Sequence, residues 1–320
     1  MWRDYHWDRT SKIQQSLIEI EGLRHLFNTL PQIPQIEENL RRLSLLKSAV
    51  YSARIEGFSD TETDLKQESR NLLALYRQLY GGKLPQKLTL SLIKKFHKQT
   101  LKHISAGGFW RQEPWAIFNQ AGVAVDMTPP HFQLPQLMEE YIDFINHLIE
   151  PPLIKASVAQ FVFEKIHPLP DGNGRVGRLI SSFVLYNAGY AFKGQIPFEQ
   201  YIERHREEYY QTFMPSKNIT PFIEFFLEAL LTQGKEILVN VVSPLQIPSQ
   251  GGLIPRKNEV LQIIKDHPYS SFDFIKRRFP NISVITIHRD IADLIKRGKV
   301  EKLGSTRGAV YVAASPGPSV

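Results

Sequence analysis

The sequence predicts a mainly α protein with one small β-hairpin near its middle and a separate α/β unit at its C-terminal end. Three observations carry this. From residue 8 to residue 242, apolar residues recur at three- and four-residue intervals in one segment after another, punctuated by proline and glycine. Between residues 107 and 130 that period disappears and short extended pieces replace it. Residues 243–254 are rich in Pro, Gln, Ser and Gly, and beyond them the character changes: residues 255–313 hold twelve Lys/Arg and six Asp/Glu, a net +6 of the chain's +7.

The elements follow in order. Residues 8–30 and 35–56 read as two helices separated by Pro31 and Pro34. The second carries the apolar stripe Leu40, Leu43, Leu46, Val50 and Ala53, and closes on Ser52-Ala53-Arg54-Ile55-Glu56-Gly57, with Gly57 suited to the position past the helix end. Glu56 is oddly placed: a carboxylate in the last turn faces the negative end of the helix dipole, costing about 0.3–1 kcal/mol unless a cation compensates. Residues 62–80 form another helix, broken by Gly81-Gly82, and 89–103 another. Residues 108–111, 115–118 and 122–125 are the extended pieces, and 132–149 is helical again.

A helical run over 156–166, with Val158, Phe161, Val162 and Ile166 on one face, is stopped by Pro168 and Pro170. Asp171-Gly172-Asn173-Gly174 supplies a turn with two positions free to take positive φ. From Gly174 a second helical pattern runs through Val176, Leu179, Ile180, Phe183 and Val184 and ends near Asn187 and Gly189. Residues 199–213 follow as a helix. Thr220-Pro221 opens a last one, N-cap then Pro at N1, that runs to about residue 242.

The loop 167–178 is where the chemistry concentrates. The first N–H groups of a helix lack intrahelical partners and carry the positive end of its dipole, so a glycine-rich turn feeding such an end is a phosphate cradle. Arg175 and Arg178 are three apart, on one face, one turn from each other, and fit successive phosphates. Asp171 is a hard oxygen ligand suited to Mg²⁺ on a polyphosphate. His167 stands at the mouth as a candidate general base. Together these describe a nucleotide site with a metal, an anion hole and a base.

These residues resemble the Fic family, whose signature is His-x-Phe-x-(Asp/Glu)-Gly-Asn-Gly-Arg-x-x-Arg. The chain has His167, Asp171, Gly172, Asn173, Gly174, Arg175 and Arg178 in place, and departs only in Leu169 for the usual Phe. The resemblance implies transfer of AMP from Mg²⁺-bound ATP to a Ser, Thr or Tyr hydroxyl of a protein, itself among the candidates, with release of pyrophosphate. It implies that His167 takes the hydroxyl proton and Asp171 holds Mg²⁺. Gly172, Asn173 and Gly174 would form the anion hole, Arg175 would meet the β-phosphate and Arg178 the γ-phosphate. The stretch at 52–57 resembles the family's inhibitory motif, (Ser/Thr)-x-x-x-Glu-(Gly/Asn). Glu56 is then expected to pair with Arg178 in the place of the γ-phosphate, with Ser52 one turn earlier helping to position it. Residues 107–130 match the family's flap, a hairpin that pairs with the target backbone, with Ile117 as the expected flap contact.

In the C-terminal unit, three helices (256–266, 272–279, 283–297) precede two strands (300–303, 309–312). This is the order of a winged helix-turn-helix, and Thr286-Ile287-His288-Arg289-Asp290 resembles the third helix of bacterial winged-helix regulators. Ser283, Thr286, His288 and Arg289 are expected to face a DNA major groove and Arg307 a neighbouring phosphate. The expected organisation is an N-terminal helical region (1–84) carrying the inhibitory helix, an all-helical Fic core with its hairpin flap (85–242), a linker (243–254), the winged helix-turn-helix (255–313) and a flexible tail (314–320). The expected partners are ATP, a target protein and DNA, with a homodimer left open. Two other functions stay open: a nucleotide-sensing DNA-binding regulator, and Glu56-dependent removal of AMP from a modified protein. No cysteine is present, which excludes disulfides and thiolate chemistry and permits the cytoplasm. No apolar run is long enough to span a bilayer, and the N-terminus does not read as a signal peptide.

Overall fold

The computed structural model describes residues 4–29, 34–82, 84–118, 124–242, 255–280, 282–304 and 309–314. The expected linker, most of the tail and Arg307 lie outside them, and Ile117 contributes only its backbone. The chain divides into two compact units, 1–239 and 240–320. Among the described residues no helix is long and apolar enough to cross a membrane.

The first unit contains α1 (Ser11–Thr29), α2 (Pro34–Ile55), α3 (Gln67–Tyr80), α4 (Leu90–Thr100), β1 (Ala116–Phe118), β2 (Ala124–Met127) and α5 (Leu134–His147). It continues with α6 (Pro152–Ile166), α7 (Asn173–Asn187), α8 (Phe198–Arg204), α9 (Arg206–Gln211) and α10 (Thr220–Val242). Its centre is the pair α6 and α7, joined by the signature loop. Helix α6 is buried around most of its circumference, with Leu153, Ile154, Val158, Phe161, Val162, Phe163 and Ile166 buried alongside the polar Ser157, Gln160 and Lys165, which marks a helix enclosed on nearly every side. It starts four residues earlier than the sequence pattern suggests, because Pro152 stands in the first turn where its missing N–H costs nothing. Phe161 stacks on Phe213 at 5.2 Å and meets Phe222 edge-on at 5.2 Å, fastening α6 to α10. An N-terminal strap is held to the start of α10 by His6 N–H donating to Lys217 O (3.0 Å) and Ile219 N–H to His6 O (3.0 Å).

Other boundaries moved for local reasons. Helix α3 begins at Gln67 rather than 62, because the buried Asp60 carboxylate accepts from Lys66 N–H (2.8 Å) and folds 60–66 into a turn. The run 199–213 is two helices, not one, parted at His205, whose φ of −118° and ψ of 40° leave the helical region. Of the three extended pieces, β1 and β2 pair antiparallel (Ala116 opposite Met127, Ile117 opposite Asp126), while 108–111 is irregular.

The second unit contains α11 (Pro255–Asp266), β3 (Ser270–Ser271), α12 (Phe272–Arg277), α13 (Val284–Lys296), β4 (Val300–Leu303) and β5 (Val310–Ala313). The sheet order is β3-β5-β4, all antiparallel; β3 is a strand the sequence pattern did not indicate. Val260, Ile264, Ile275, Ile287, Leu294 and Val300 form its core. Arg256 on α11 holds the buried Asp290 of α13 with two hydrogen bonds, one of them 3.1 Å.

Candidate active site

The site is built by the loop between α6 and α7. Helix α6 ends on His167, which takes a left-handed conformation (φ 49°, ψ 57°) while its N–H donates to Phe163 O (3.0 Å). That conformation costs a non-glycine residue about 1–2 kcal/mol, and the neighbours hold it. Leu169 is fully buried, as its apolar character requires. Asn173 turns its side chain back on the loop, accepting from Leu169 N–H (2.9 Å) and donating to Leu169 O (2.8 Å). Expected in the anion hole, Asn173 therefore gives its side chain to the loop and only its backbone N–H to the helix end. Gly172 precedes helix α7 at φ +78°, where a side chain would be strained.

His167 lies against Trp115, with ring planes 7° apart and centroids 5.9 Å apart. Its Nδ1 is 3.3 Å from Glu164 O; a carbonyl only accepts, so Nδ1 carries the proton and Nε2 keeps a lone pair. Burial pushes the imidazole pKa down to about 4, with the Arg111 cation adding to the effect. Arg111 ties this segment to the hairpin. Its Nε donates to His167 O (2.8 Å), its backbone N–H to Pro168 O (2.8 Å), Nη1 to Glu113 O (2.7 Å) and Nη2 to Thr128 Oγ1 (3.0 Å).

The two arginines are nearly inaccessible. Arg175 is 1% exposed and Arg178 0%. Arg178 Nε donates to Ser52 Oγ (3.0 Å), and Nη2 to Ser52 O (2.9 Å) and Glu56 Oε1 (2.8 Å). Burial opposes the charge of Arg178, but the Glu56 carboxylate, aided by Tyr209 and Glu164, outweighs it and raises the guanidinium above its ordinary range. The Glu56–Arg178 pair is thus present. Ser52 differs from expectation: both its hydroxyl and its carbonyl engage Arg178, so it seats the cation rather than the carboxylate. Glu56 lies just past the end of α2, with its N–H on Ala53 O (3.0 Å), and Gly57 follows at φ +92°. A Cβ added to Gly174 would lie 2.2 Å from Glu56 Oε1, so the carboxylate rests on the first turn of α7, where an anion would bind.

Arg175 Nη2 donates to Asp171 Oδ1 (2.9 Å), which also accepts from Gly172 N–H (2.5 Å); the Asp171 side chain is 61% exposed. Three N–H-bearing atoms (Arg175 Nε and Nη1, Arg178 Nη1) are buried without a hydrogen-bond partner among the described residues. Beneath them Glu164 accepts from Tyr209 OH (2.9 Å) and Gln160 Nε2 (3.1 Å), and burial pushes its carboxyl up to about 7.

Helix α2 is anchored along one polar stripe that sequence reasoning passed over, although the four-residue spacing was visible. Ser44 Oγ donates to Gln195 O (2.8 Å), and Ser48 Oγ to Glu199 Oε2 (2.7 Å). Ser52 and Glu56 continue the stripe onto Arg178. The buried Glu199 also accepts from Tyr76 OH (2.5 Å). At the helix end, Arg206 donates to Arg54 O and Tyr210 OH to Ile55 O (3.0 Å), relieving the negative pole that made Glu56 look misplaced.

Of the expected DNA contacts on this unit, Ser283, His288 and Arg289 are exposed and Thr286 is half-buried. Ser283 caps α13, accepting from Thr286 N–H (3.2 Å), and its hydroxyl pairs with Thr286 Oγ1 (2.8 Å). His288 stacks on Phe272 with centroids 3.7 Å apart, and Arg289 is exposed.

Residues 87–185 match the Fic/DOC family. The protein adenylyltransferase Fic of Drosophila willistoni is 32% identical over 251 residues, covering 69% of this chain and 48% of that protein. The protein of the same name from Drosophila grimshawi is 25% identical over 301 residues, covering 82% of this chain and 60% of that protein. The chain thus spans about half the length of the curated relatives it matches. A Fic family protein of Desulfovibrio desulfuricans superimposes with a TM-score of 0.67 at 21% identity, over 98% of both chains, a likeness of fold. The loop from His167 to Arg178 falls inside the matched span while Ser52 and Glu56 fall before it, and the chain carries a Fic domain in residues 87–185.

Proposed function

We propose that this chain is a protein adenylyltransferase held in a braked state. His167 Nε2 takes the proton from a Ser, Thr or Tyr hydroxyl of a protein as its oxygen attacks the α-phosphorus of ATP. The bond from that phosphorus to the β-phosphate oxygen breaks, and pyrophosphate leaves. A neutral imidazole at pH 7, with its tautomer set by Glu164 O, is the form such a base needs. Phosphoryl-type transfer is mostly positioning and charge stabilisation, which the N-terminus of α7 and the two arginines supply. The observation that carries the reading is the set of partnerless buried donors on Arg175 and Arg178 beside that helix end, donors that a phosphate chain would satisfy.

Among the described residues no group of three or more His, Cys, Asp or Glu forms a protein-only metal cage. Mg²⁺ usually takes one or two carboxylates and completes its shell with phosphates and water, and the exposed Asp171 beside the cradle fits that donor set. When bound there with nucleotide, Mg²⁺ supplies neutralisation of phosphate charge.

The brake is Glu56, on Arg178 and over Gly174. Intact mass measured after incubating wild type, Glu56→Gly and Glu56→Gly/His167→Ala with Mg²⁺-ATP and candidate proteins tests the reading. The expected result is an added AMP in the single variant, little in wild type and none in the double variant. Equal adducts in wild type and Glu56→Gly would refute the brake, and transfer without His167 would refute the base. For the C-terminal unit we propose recruitment. Its +6 charge motivates DNA as the partner, and loss of duplex-DNA anisotropy with rising salt would bear it out.

A further inference from the structure

We propose that Phe58 is a second cover on the phosphate-binding arginines, seated on Arg175 as Glu56 is on Arg178. In this role it sets how the site discriminates nucleotides by phosphate-chain length. The inference rests on the nucleotide-transfer reading above and adds a residue to it.

The guanidinium carbon of Arg175 lies 5.1 Å from the centre of the Phe58 ring. Arg175 is 1% exposed, yet its Nε and Nη1 have no partner among the described residues; only Nη2 is engaged, by Asp171. A ring face attracts the cation but accepts no good hydrogen bond from its N–H groups. The cover therefore satisfies charge while leaving the donors bare. A phosphate oxygen would satisfy both, so it displaces the ring when it arrives, at the cost of the ring–cation contact.

Chain geometry makes the two covers one device with separable parts. Phe58 follows Glu56 by two residues through Gly57, at φ +92°, with nothing within 4 Å of where a Cβ there would stand. Phe58 N–H donates to Ala53 O (3.3 Å), tying the turn to the end of α2. The segment Glu56-Gly57-Phe58 thus sets a carboxylate on one arginine and a ring on the other. With Arg175 on the β-phosphate and Arg178 on the γ-phosphate, ATP must lift both covers, ADP only the ring, and AMP neither.

Isothermal titration of the full chain tests this, using wild type, Phe58→Ala, Phe58→Leu and Glu56→Gly with Mg²⁺-ATP, Mg²⁺-ADP and AMP. Phe58→Ala is expected to tighten ATP and ADP alike, on the order of tenfold. Phe58→Leu, which keeps apolar volume but lacks the π face, is expected to tighten both by less. Glu56→Gly is expected to favour ATP well above ADP, and AMP affinity stays level throughout. A merely structural role for Phe58 would not sort nucleotides by chain length. Unchanged or weakened ADP binding in Phe58→Ala of normal thermal stability overturns the proposal. Should that variant not fold, the same result in Phe58→Leu overturns it. Absence of AMP transfer by Glu56→Gly would instead count against the transferase reading and leave this binding pattern to be judged alone.

Discussion

His167→Gln is expected to change the pH dependence of folding as well as abolish transfer. Burial lowers the imidazole from its ordinary 6.5 to about 4. At 1.36 kcal/mol per pH unit this corresponds to roughly 3 kcal/mol. The unfolded chain binds this proton at a higher pH than the native chain does. The stability that goes with a neutral His167 is therefore complete above about pH 6.5 and lost as pH falls towards about 4. His97, buried and also held near 4, acts in the same window. Glu164, raised to about 7, acts oppositely: its contribution is full below about 4.5 and lost as pH rises through about 7. The raw stability curve therefore mixes signs, and the difference between wild type and His167→Gln isolates the imidazole. Urea unfolding of both proteins across this range should show the wild type losing roughly 3 kcal/mol relative to the variant between about pH 7.5 and about pH 4. In parallel, kcat/KM for transfer by Glu56→Gly should hold level on acidification until close to 4. A stability difference independent of pH, or a kinetic midpoint at the ordinary histidine value, would mean the ring is wet. The account of how the base is kept neutral would then be wrong.

Two further substitutions probe the brake from opposite sides. Ser48→Ala touches no proposed nucleotide contact but leaves the buried Glu199 Oε2 without its hydroxyl donor. Such a loss costs about 1–3 kcal/mol, and it should raise basal AMP transfer in the mass assay while lowering the melting temperature; unchanged transfer would show the stripe to be packing alone. Gly174→Ala places a methyl 2.2 Å from Glu56 Oε1, the end of a flexible side chain. It is expected to cost nucleotide binding by calorimetry, in wild-type and Glu56→Gly backgrounds alike, with little loss of thermal stability, since alanine favours helix over glycine by about 1 kcal/mol.

What could be read from the sequence follows the range of the forces involved. The loop from His167 to Arg178 is a local construction of prolines, glycines and a helix start, so its geometry was legible almost residue by residue. Glu56 could be singled out because its position at a helix end is electrostatically awkward, which the pairing with Arg178 and the donors from Arg206 and Tyr210 to the helix end together resolve. The contacts of Arg175 were not legible. Its ring partner lies 117 residues away in a turn with no signal beyond one glycine, and only packing brings the two together. Ser52 belongs to the same arginine–carboxylate pair. Spacing puts it on the correct face without revealing that its hydroxyl and carbonyl both point at the guanidinium. The break at His205 carries no proline or glycine, and a continuous helix is what the pattern alone suggests. There the tertiary setting decides: Tyr201 stacks on the His205 ring at 3.9 Å and its carbonyl lies 2.9 Å from His205 Nδ1.

The polar stripe of α2 repeats every four residues, and a repeat of that kind is a rack that can engage at more than one tooth. A slide of one helical turn, about 5.4 Å, would bring Ser48 to the carbonyl now met by Ser44, Ser52 to Glu199, and Glu56 to the seat of Ser52. Ser48 and Ser52 would still find polar partners, so the stripe by itself only weakly fixes where the helix stops. The apolar row beside it does so firmly. Leu45, Ala49 and Ala53, all buried, have the same spacing but unequal sizes. Sliding one way leaves an alanine in the space of a leucine, and sliding the other forces a leucine into the space of an alanine; each costs a kilocalorie or more per mole by cavity or overlap. The step in size from Leu45 to Ala49 thus fixes the rest position of the carboxylate that guards the site.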